Sequence, residues 1–496
     1  MASDNKIFST VDENMSFIKN CFGDGINMVE SRHEILKNHI PIGLVYIETI
    51  SDKKTIMEHV VKPMLMCNNT SCPKNCDAVQ FISSCVITFT GISQTDDRNV
   101  ILQGIMNGSA ILFVENSNTA LVIMSGIAEK RAIETPENEV TVLGSQESFT
   151  DNIKVNCSLI LQRLPVPNLK FEEFVVGTLS HTKVKLIWLD GIANTAVIKE
   201  ARRRLKNVDI DNLDGIGALS ELIEDKPFSI FPKYRQTERP DVLAKGLSNG
   251  LFGIICDSSP FAYMAPVSLW DNFKSMDDYE ERSLTSSFLR IIRYIAFILS
   301  FLISALYLAF VTYDQTIVPS ALAVNIASGR EGVPFPSVVE LLILTIGISI
   351  IREAGVRLRG SVSYFIGTLA AVVIGQAIVS AGYVSASLII VVAVSTISSF
   401  AISSTTMIYP STLLNYIFIL LASSFGIFGI ACGLTFLLWY LITLDSYGMP
   451  YLYPLLPYDK NGAVDTIVRP TSKVLTKRAK YLSPRNRVKI GNKGIK

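Results

Sequence analysis

Four cysteines crowd one polar stretch: Cys67, Cys72, Cys76 and Cys85, around CNNTSCPKNC. Thiolates at such short spacing can converge on one zinc ion or on an iron–sulfur cluster. The competing reading is a loop of reduced thiols in a reducing compartment. No Cys-x-x-Cys pair occurs and no His lies among the four, which favours the second reading. His33, His39, His59 and His181 are scattered, without a ligand-like partner at helical spacing. Walker A, GxGxxG and HExxH patterns are missing from the sequence. Asp190-Gly191 follows an apolar run and could face a ligand, but a turn explains it without one. The residues suggest no catalysis, no cofactor and no resident metal, so the expectation is a non-enzyme.

More chemistry is concentrated in the apolar carboxy-terminal third. Arg330-Glu331-Gly332-Val333-Pro334-Phe335-Pro336 sets a charge pair beside two prolines. Proline frees backbone carbonyls that need partners, so this is either a broken, re-entrant element or an external loop. Arg352-Glu353-Ala354-Gly355-Val356-Arg357 reads as an interfacial collar, with arginines reaching to lipid headgroups. The run Val362–Ala381 carries Gly367, Ala370, Ala371, Gly375 and Ala377, small residues that allow close helix packing. Gln376 is its one strongly polar side chain, and an amide in lipid must face protein or water. If several subunits surround an axis, Val372, Val373 and Gln376 could line it, with a ring of Val gating by dewetting.

These residues need a membrane element to hold them. Tyr294–Tyr313 is twenty residues without an Asp, Glu, Lys, Arg or His. At ~1.5 Å per residue it reaches about 30 Å, the thickness of a bilayer core. Further apolar runs follow at Val338–Ile351, Val362–Ala381, Ser385–Tyr409 and Thr412–Leu444, the last too long for one untilted crossing. The polar amino terminus has no signal-peptide core, so the first ~290 residues are expected to stay cytosolic. Arg282, Arg290 and Arg293 precede the first run, and Lys460–Lys496 carries eleven Lys or Arg against one acid. Both termini therefore read as cytoplasmic, and the number of crossings as four or six. A net charge of +1 gives no field that would recruit nucleic acid.

The front half reads as α/β, and it repeats. Leu44-Val45-Tyr46-Ile47-Glu48 returns as Leu186-Ile187-Trp188-Leu189-Asp190, a step of 142 residues. The same step carries Val100, Gly104, Asn107, Gly108 and Ala120 onto Val242, Gly246, Asn249, Gly250 and Ala262. Two similar α/β subdomains follow from this. The expected division is a helical leader (1–39), a first α/β subdomain (40–146), a connecting helix and linker (147–180) and a second α/β subdomain (181–285). A polytopic α-helical transmembrane domain (286–457) and a basic cytoplasmic tail (458–496) complete it.

FVVGTLSHTKVKLIWLDGIAN, the TERPD turn, ASGREGVPFP, IREAGVRL, VIGQAIVSAG, ISSFAI and SYGMPYLYP together resemble the A subunit of GerA-type spore germinant receptors. The resemblance runs from about Glu147 to Pro457 and is most specific over 326–382, where Arg330, Glu331, Gly332, Pro334, Pro336, Arg352, Glu353, Gly355 and Arg357 are its signature. The cysteine loop is no part of the pattern. The resemblance implies a multi-pass protein of the spore inner membrane. It works with a permease-like B subunit that binds the nutrient and with a C-subunit lipoprotein. It also implies a homo-oligomeric ring, a pentamer, that releases monovalent cations when nutrient binds. A non-conducting scaffold and a germination-amplifying paralogue are the alternatives; a secondary transporter would need inverted repeats that the sequence lacks.

Overall fold

The computed structural model describes residues 5–23, 25–36, 39–67, 78–126, 135–139, 141, 143–226, 228–357, 380–471, 473–482 and 486–489. Its first part is built twice. Helix α1 (Val11–Phe22) buries Val11, Met15, Ile18 and Phe22, a stripe at helical spacing. Strands β1 (Met28–Ile35) and β2 (Ile40–Ile47) then form an antiparallel hairpin. A helical stretch (53–66), capped by the Asp52 carboxylate accepting from the Lys54 and Thr55 amides, lies against one sheet face. Strand β3 (Ile92–Thr95), helix α2 (Arg98–Met106) and strands β4 (Ala110–Val114) and β5 (Ala120–Ile123) complete the unit.

The second copy repeats this order, and all but its first strand, which is shifted by one residue, keep the 142-residue register. Strand β6 (Leu169–Val176) pairs with β7 (Thr182–Leu189), and helix α4 (Pro240–Ser248) follows strand β8 (Arg235–Thr237). Strands β9 (Phe252–Cys256) and β10 (Ala262–Ala265) stand 142 residues after β4 and β5, as α4 stands after α2. The sheet orders are β1-β2-β4-β5-β3 and β6-β7-β9-β10-β8, antiparallel throughout. Helices α1, α2 and α4 and helix α3 (Ile153–Arg163) share one apolar core between the two sheets. Gly108 and Gly250, which end α2 and α4, both take positive φ, which explains the repeated Asn-Gly.

Two sequence expectations need correction here. Residues 28–35, expected in a helical leader, are an edge strand of the first sheet, because their alternating pattern half-buries one face. Residues 169–176, expected in a linker, are the matching strand of the second sheet. The leader helix and the connecting helix occupy equivalent places in the two copies.

A bundle of apolar helices follows. Helix α5 (Ser283–Thr312) spans thirty residues; helices α6 (Ser320–Ser328), α7 (Ser337–Arg357), α8 (Ala386–Phe400) and α9 (Ile408–Thr443) complete the bundle. Among the described residues two helices are long and apolar enough to cross a membrane, Ser283–Thr312 and Thr405–Thr443. The second of these reverses direction at Gly426, where φ is +57° and ψ −139°. A Cβ on Gly429 would meet the Leu421 carbonyl at 2.3 Å, a contact only two antiparallel arms can make. The Tyr313 hydroxyl donates to the Ser423 carbonyl at the end of the first arm (2.7 Å). The Ile427 amide at the start of the second donates to Asp314 (3.4 Å). Each cap sits at the helix end its polarity favours. At 39 residues a straight helix would run about 58 Å, twice a bilayer core, and the reversal resolves the excess.

Helix α8 runs against α5. The Ser395 hydroxyl donates to the Ser300 carbonyl at mid-height, and Tyr307 meets Ser387 near the far end. Ser385, before α8, gives its amide to Glu340 near the start of α7 (3.2 Å). The chain thus leaves the described residues at 357, on the side of the α/β module, and returns at 380 on the opposite side.

Candidate coupling site

The densest buried charge lies where the α/β module meets the base of α5. Arg290, fully buried on the first turns of that helix, donates through Nε to Asp278 (3.2 Å) and through Nη1 to Asp465 (2.9 Å). Arg293, one turn on, donates to both oxygens of Asp278 (2.8 and 3.0 Å). The Tyr279 hydroxyl donates to the other oxygen of Asp465 (2.6 Å). Lys274 pairs with Asp271 (2.8 Å), which closes a capping box with Ser268.

Burial alone would raise the Asp465 carboxyl, but Lys274 and Arg290 outweigh it and hold it below the usual carboxylate range. The ammonium of Lys274 is opposed by burial too, and Asp271 and Asp465 nevertheless push it above its ordinary value. Lys245 of α4 differs. It rests on the Tyr279 ring and is so desolvated that it falls to about 6, against a raising pull from Asp465.

Asp465 belongs to the segment expected as a basic tail. That segment is a strap rather than a solvated extension. Arg469 donates to the Glu281 and Tyr279 carbonyls (2.8 and 3.1 Å), and Ser287 donates to the Arg469 carbonyl (3.2 Å). Arg478 and Lys489 then reach the end of α4, at the Ser248 carbonyl (2.7 Å) and the Asn249 side chain (3.0 Å). Cations at a helix C-terminus are favoured by its unpaired carbonyls. One segment therefore ties the second α/β copy to the first long apolar helix.

The residues singled out by sequence fall elsewhere. Arg330 pairs across the loop with the fully buried Glu340 (3.6 Å) rather than with its neighbour Glu331, which is exposed, as are Gly332, Pro334 and Pro336. Arg352 does not point to headgroups. It turns between helices and donates to Thr412 (2.8 Å) and Ser399 (3.2 Å), while Glu353 stays exposed. Gly355 and Arg357 close α7. Cys67 is half-buried and Cys85 exposed; Cys72 and Cys76 lie outside the described residues. Among the described residues no three His, Cys, Asp or Glu gather as metal ligands. Val372, Val373 and Gln376 also lie outside the described residues. Sequence reasoning counted Arg290 and Arg293 only as positive charge and missed their partners Asp278 and Asp465. An acid isolated among eleven basic residues was the available signal.

The arrangement defines a class: a duplicated α/β module clamped by buried charge to a bundle of long apolar helices. The sequence model described as "Bacillus/Clostridium GerA spore germination protein" matches residues 16–481. Spore germination protein KA of Bacillus subtilis (strain 168) is 34% identical over 455 residues, 92% of this chain and 83% of its own length. The uncharacterized membrane protein YfkQ of the same organism is 35% identical over 453 residues, 91% of this chain and 87% of its own. Among solved structures, the N-terminal domain of the A subunit of the Bacillus megaterium spore germinant receptor GerK3 matches with a TM-score of 0.42 and 30% identity. It covers 53% of this chain and 96% of that one. The chain belongs to the GerA family, the A-subunit family of spore germinant receptors.

Proposed function

We propose that this chain is the A subunit of a nutrient receptor in the spore inner membrane, and that its oligomer releases monovalent cations when nutrient binds the complex. The observation that carries the reading is the strap. Asp465, Arg469, Arg478 and Lys489 join the α/β module to the base of α5, so a change in one must displace the other. On this reading the chain divides into two α/β subdomains, a polytopic transmembrane domain and a carboxy-terminal strap. In this proposal helices α5, α7, α8 and the two arms of α9 are read as five passes, with residues 357 and 380 on opposite sides. Six crossings with both termini cytoplasmic fit that path. Outward Ile291, Ile292, Ile295 and Ile298 of α5 are 39–52% exposed, an apolar face suited to lipid.

The partners follow from the family: a permease-like B subunit that holds the nutrient, a lipoprotein C subunit, and further copies of this chain in a pentameric ring. Nutrient binding shifts the ring between closed and open states by its differential affinity for them. Conductance of the purified oligomer in a planar bilayer tests this, and a non-conducting particle removes the channel. Spores carrying Val373→Ala test the gate, and wild-type retention of ions and dormancy removes Val373 from it. The alternative reading is a germination-amplifying paralogue. Loss of nutrient response in a deletion strain separates the two.

A further inference from the structure

Arg352 stands between two unlike polar spaces. Above it, inside the bundle, is a cavity of ≈ 20 Å³. About one water-sized sphere fits in such a volume. Ser349, Ser395, Thr396, Ser411 and Thr412 line it. Four of the hydroxyl protons are given to carbonyls: Ser395 to that of Ser300, Thr396 to that of Val392, and Ser411 and Thr412 to that of Ile408; Ser349 stands 2.9 Å from both the Thr345 carbonyl and the Tyr416 hydroxyl. What they turn to the cavity is lone pairs. Asn415, 8% exposed, adds a side-chain oxygen with no hydrogen-bond partner. The space is therefore rich in acceptors and suited to a positive charge. The guanidinium of Arg352 fills its lower edge, donating to Ser399 and Thr412, and among the described residues it has no carboxylate within ion-pair distance. Its Nε is buried without a partner.

Below it lies a cavity of ≈ 700 Å³ between the bundle and the second α/β copy, to which Arg352 also contributes. Glu139, Glu221, Glu224 and Glu238 line this lower space. Glu238 is engaged by the Asn138 and Glu139 amides, and Glu139 by Thr237 and Arg235. Glu224 keeps one buried carboxylate oxygen without a hydrogen-bond partner. Burial pushes its carboxyl up to about 7, against the opposing pull of the Lys233 charge and backbone amide.

We propose that Arg352 is a tethered cation occupying a monovalent-cation site within the bundle, and that it can leave this cage for Glu224 in the acidic cavity below. The guanidinium has two docks of opposite merit: a neutral, desolvated cage with well-placed acceptors, and a wetter cavity with negative charge. In the first position the charge sits at the lower edge of the cage and excludes a free ion. In the second the cage is open to a bare or partly hydrated K⁺-like ion. This deepens the proposed cation-releasing role and rests on it, yet its test needs no current.

The full-length protein in detergent is heated in RbCl or in choline chloride at equal ionic strength, and its unfolding midpoint is followed. Wild type is expected to show no difference between the salts. Arg352→Ala is expected to show a saturable upward shift in Rb⁺ of at least about 2 °C, which the double variant with Asn415→Leu loses. Equal midpoints in both salts for Arg352→Ala would overturn the cage as a cation site. Should Arg352→Ala not fold, Arg352→Met takes its place in the same assay. A double-mutant cycle of Arg352→Met with Glu224→Gln then tests the second dock, and additive midpoint shifts overturn the exchange. A silent planar bilayer with an intact Rb⁺ shift would reject the channel and leave the site standing.

Discussion

Arg290→Met removes the centre of the buried clasp. The guanidinium is fully buried, Asp278 is 1% exposed and Asp465 20%, so the lost charge leaves two carboxylates that water cannot readily reach. Removing one partner of a buried ion pair costs about 3–5 kcal/mol. Asp278 retains Arg293, and Asp465 retains the Tyr279 hydroxyl and the field of Lys274, which places the cost near the lower end, about 3 kcal/mol. At about 1.4 kcal/mol per decade, the fraction of molecules with the strap released rises about a hundredfold. Limited proteolysis of the full-length protein reads that fraction directly, as the cleavage rate within residues 465–489. Arg290→Lys should recover part of the loss, because a point charge meets one carboxylate but not both. Arg290→Met with Asp278→Asn and Asp465→Asn should be far milder than Arg290→Met alone, since no unpaired charge remains buried. Cleavage of Arg290→Met within about threefold of wild type would refute the claim that this guanidinium holds the strap.

Lys245→Met is expected to stabilise the protein at neutral pH. Its folded value of about 6 lies below the unfolded ~10.4, so between those limits the unfolded chain binds more protons and stability rises with pH. The variant should flatten that slope, and unfolding midpoints at pH 6.5 and 9 check it; an unchanged slope refutes the burial argument. Asp465 acts in the opposite window. Its depressed carboxyl contributes stability above about pH 4 that is lost as pH falls through its folded value, and Asp465→Asn should remove that acid limb of the melting profile. Gly426→Ala should disrupt the helical hairpin. Its Cβ would stand 3.0 Å from that of Tyr313 at a φ of +57°, a backbone cost of about 1–3 kcal/mol before the clash. A melting profile identical to wild type would contradict the reversal.

Local signals and long-range ones differed in how well they could be read. The duplication was legible because the same alternation and the same Asn-Gly turn recur at one fixed step, and both are properties of neighbouring residues. The run 412–444 was legibly too long for one pass, but its turn was not. Only Gly426 marks it, and its caps Tyr313 and Asp314 are about 110 residues away. The clasp was hidden for the same reason. Arg290 and Asp465 are 175 residues apart, and a basic residue beside an apolar run has a sufficient explanation in membrane orientation. Arg352 was misplaced because its inward neighbours, Ser399 and Thr412, are hydroxyls. Periodicity reads these as helix-packing residues rather than as partners for a charge.

The two copies of the α/β unit have parted in role, and the strap shows how. Gly108, ending α2, closes on its own subdomain, with Ile50 and Gly126 at its back. The matching end of α4 is instead held by Arg478 and Lys489, and Asn194, which caps the helix Thr195–Lys206 earlier in the second copy, donates to the Tyr481 carbonyl (3.2 Å). The strap's named anchors on the module lie in the second copy, and its remaining grip is on the base of α5. Copy two and that helix are thus bound to move together, while copy one joins copy two through an apolar core shared by both sheets. Apolar cores resist compression but have no fixed electrostatic partner to break. A force applied to copy two reaches the bundle through the buried ion pairs at 278, 290 and 465, beside direct contacts such as Lys226 to the Thr443 carbonyl and Ser403 to the Phe273 carbonyl (both 3.2 Å).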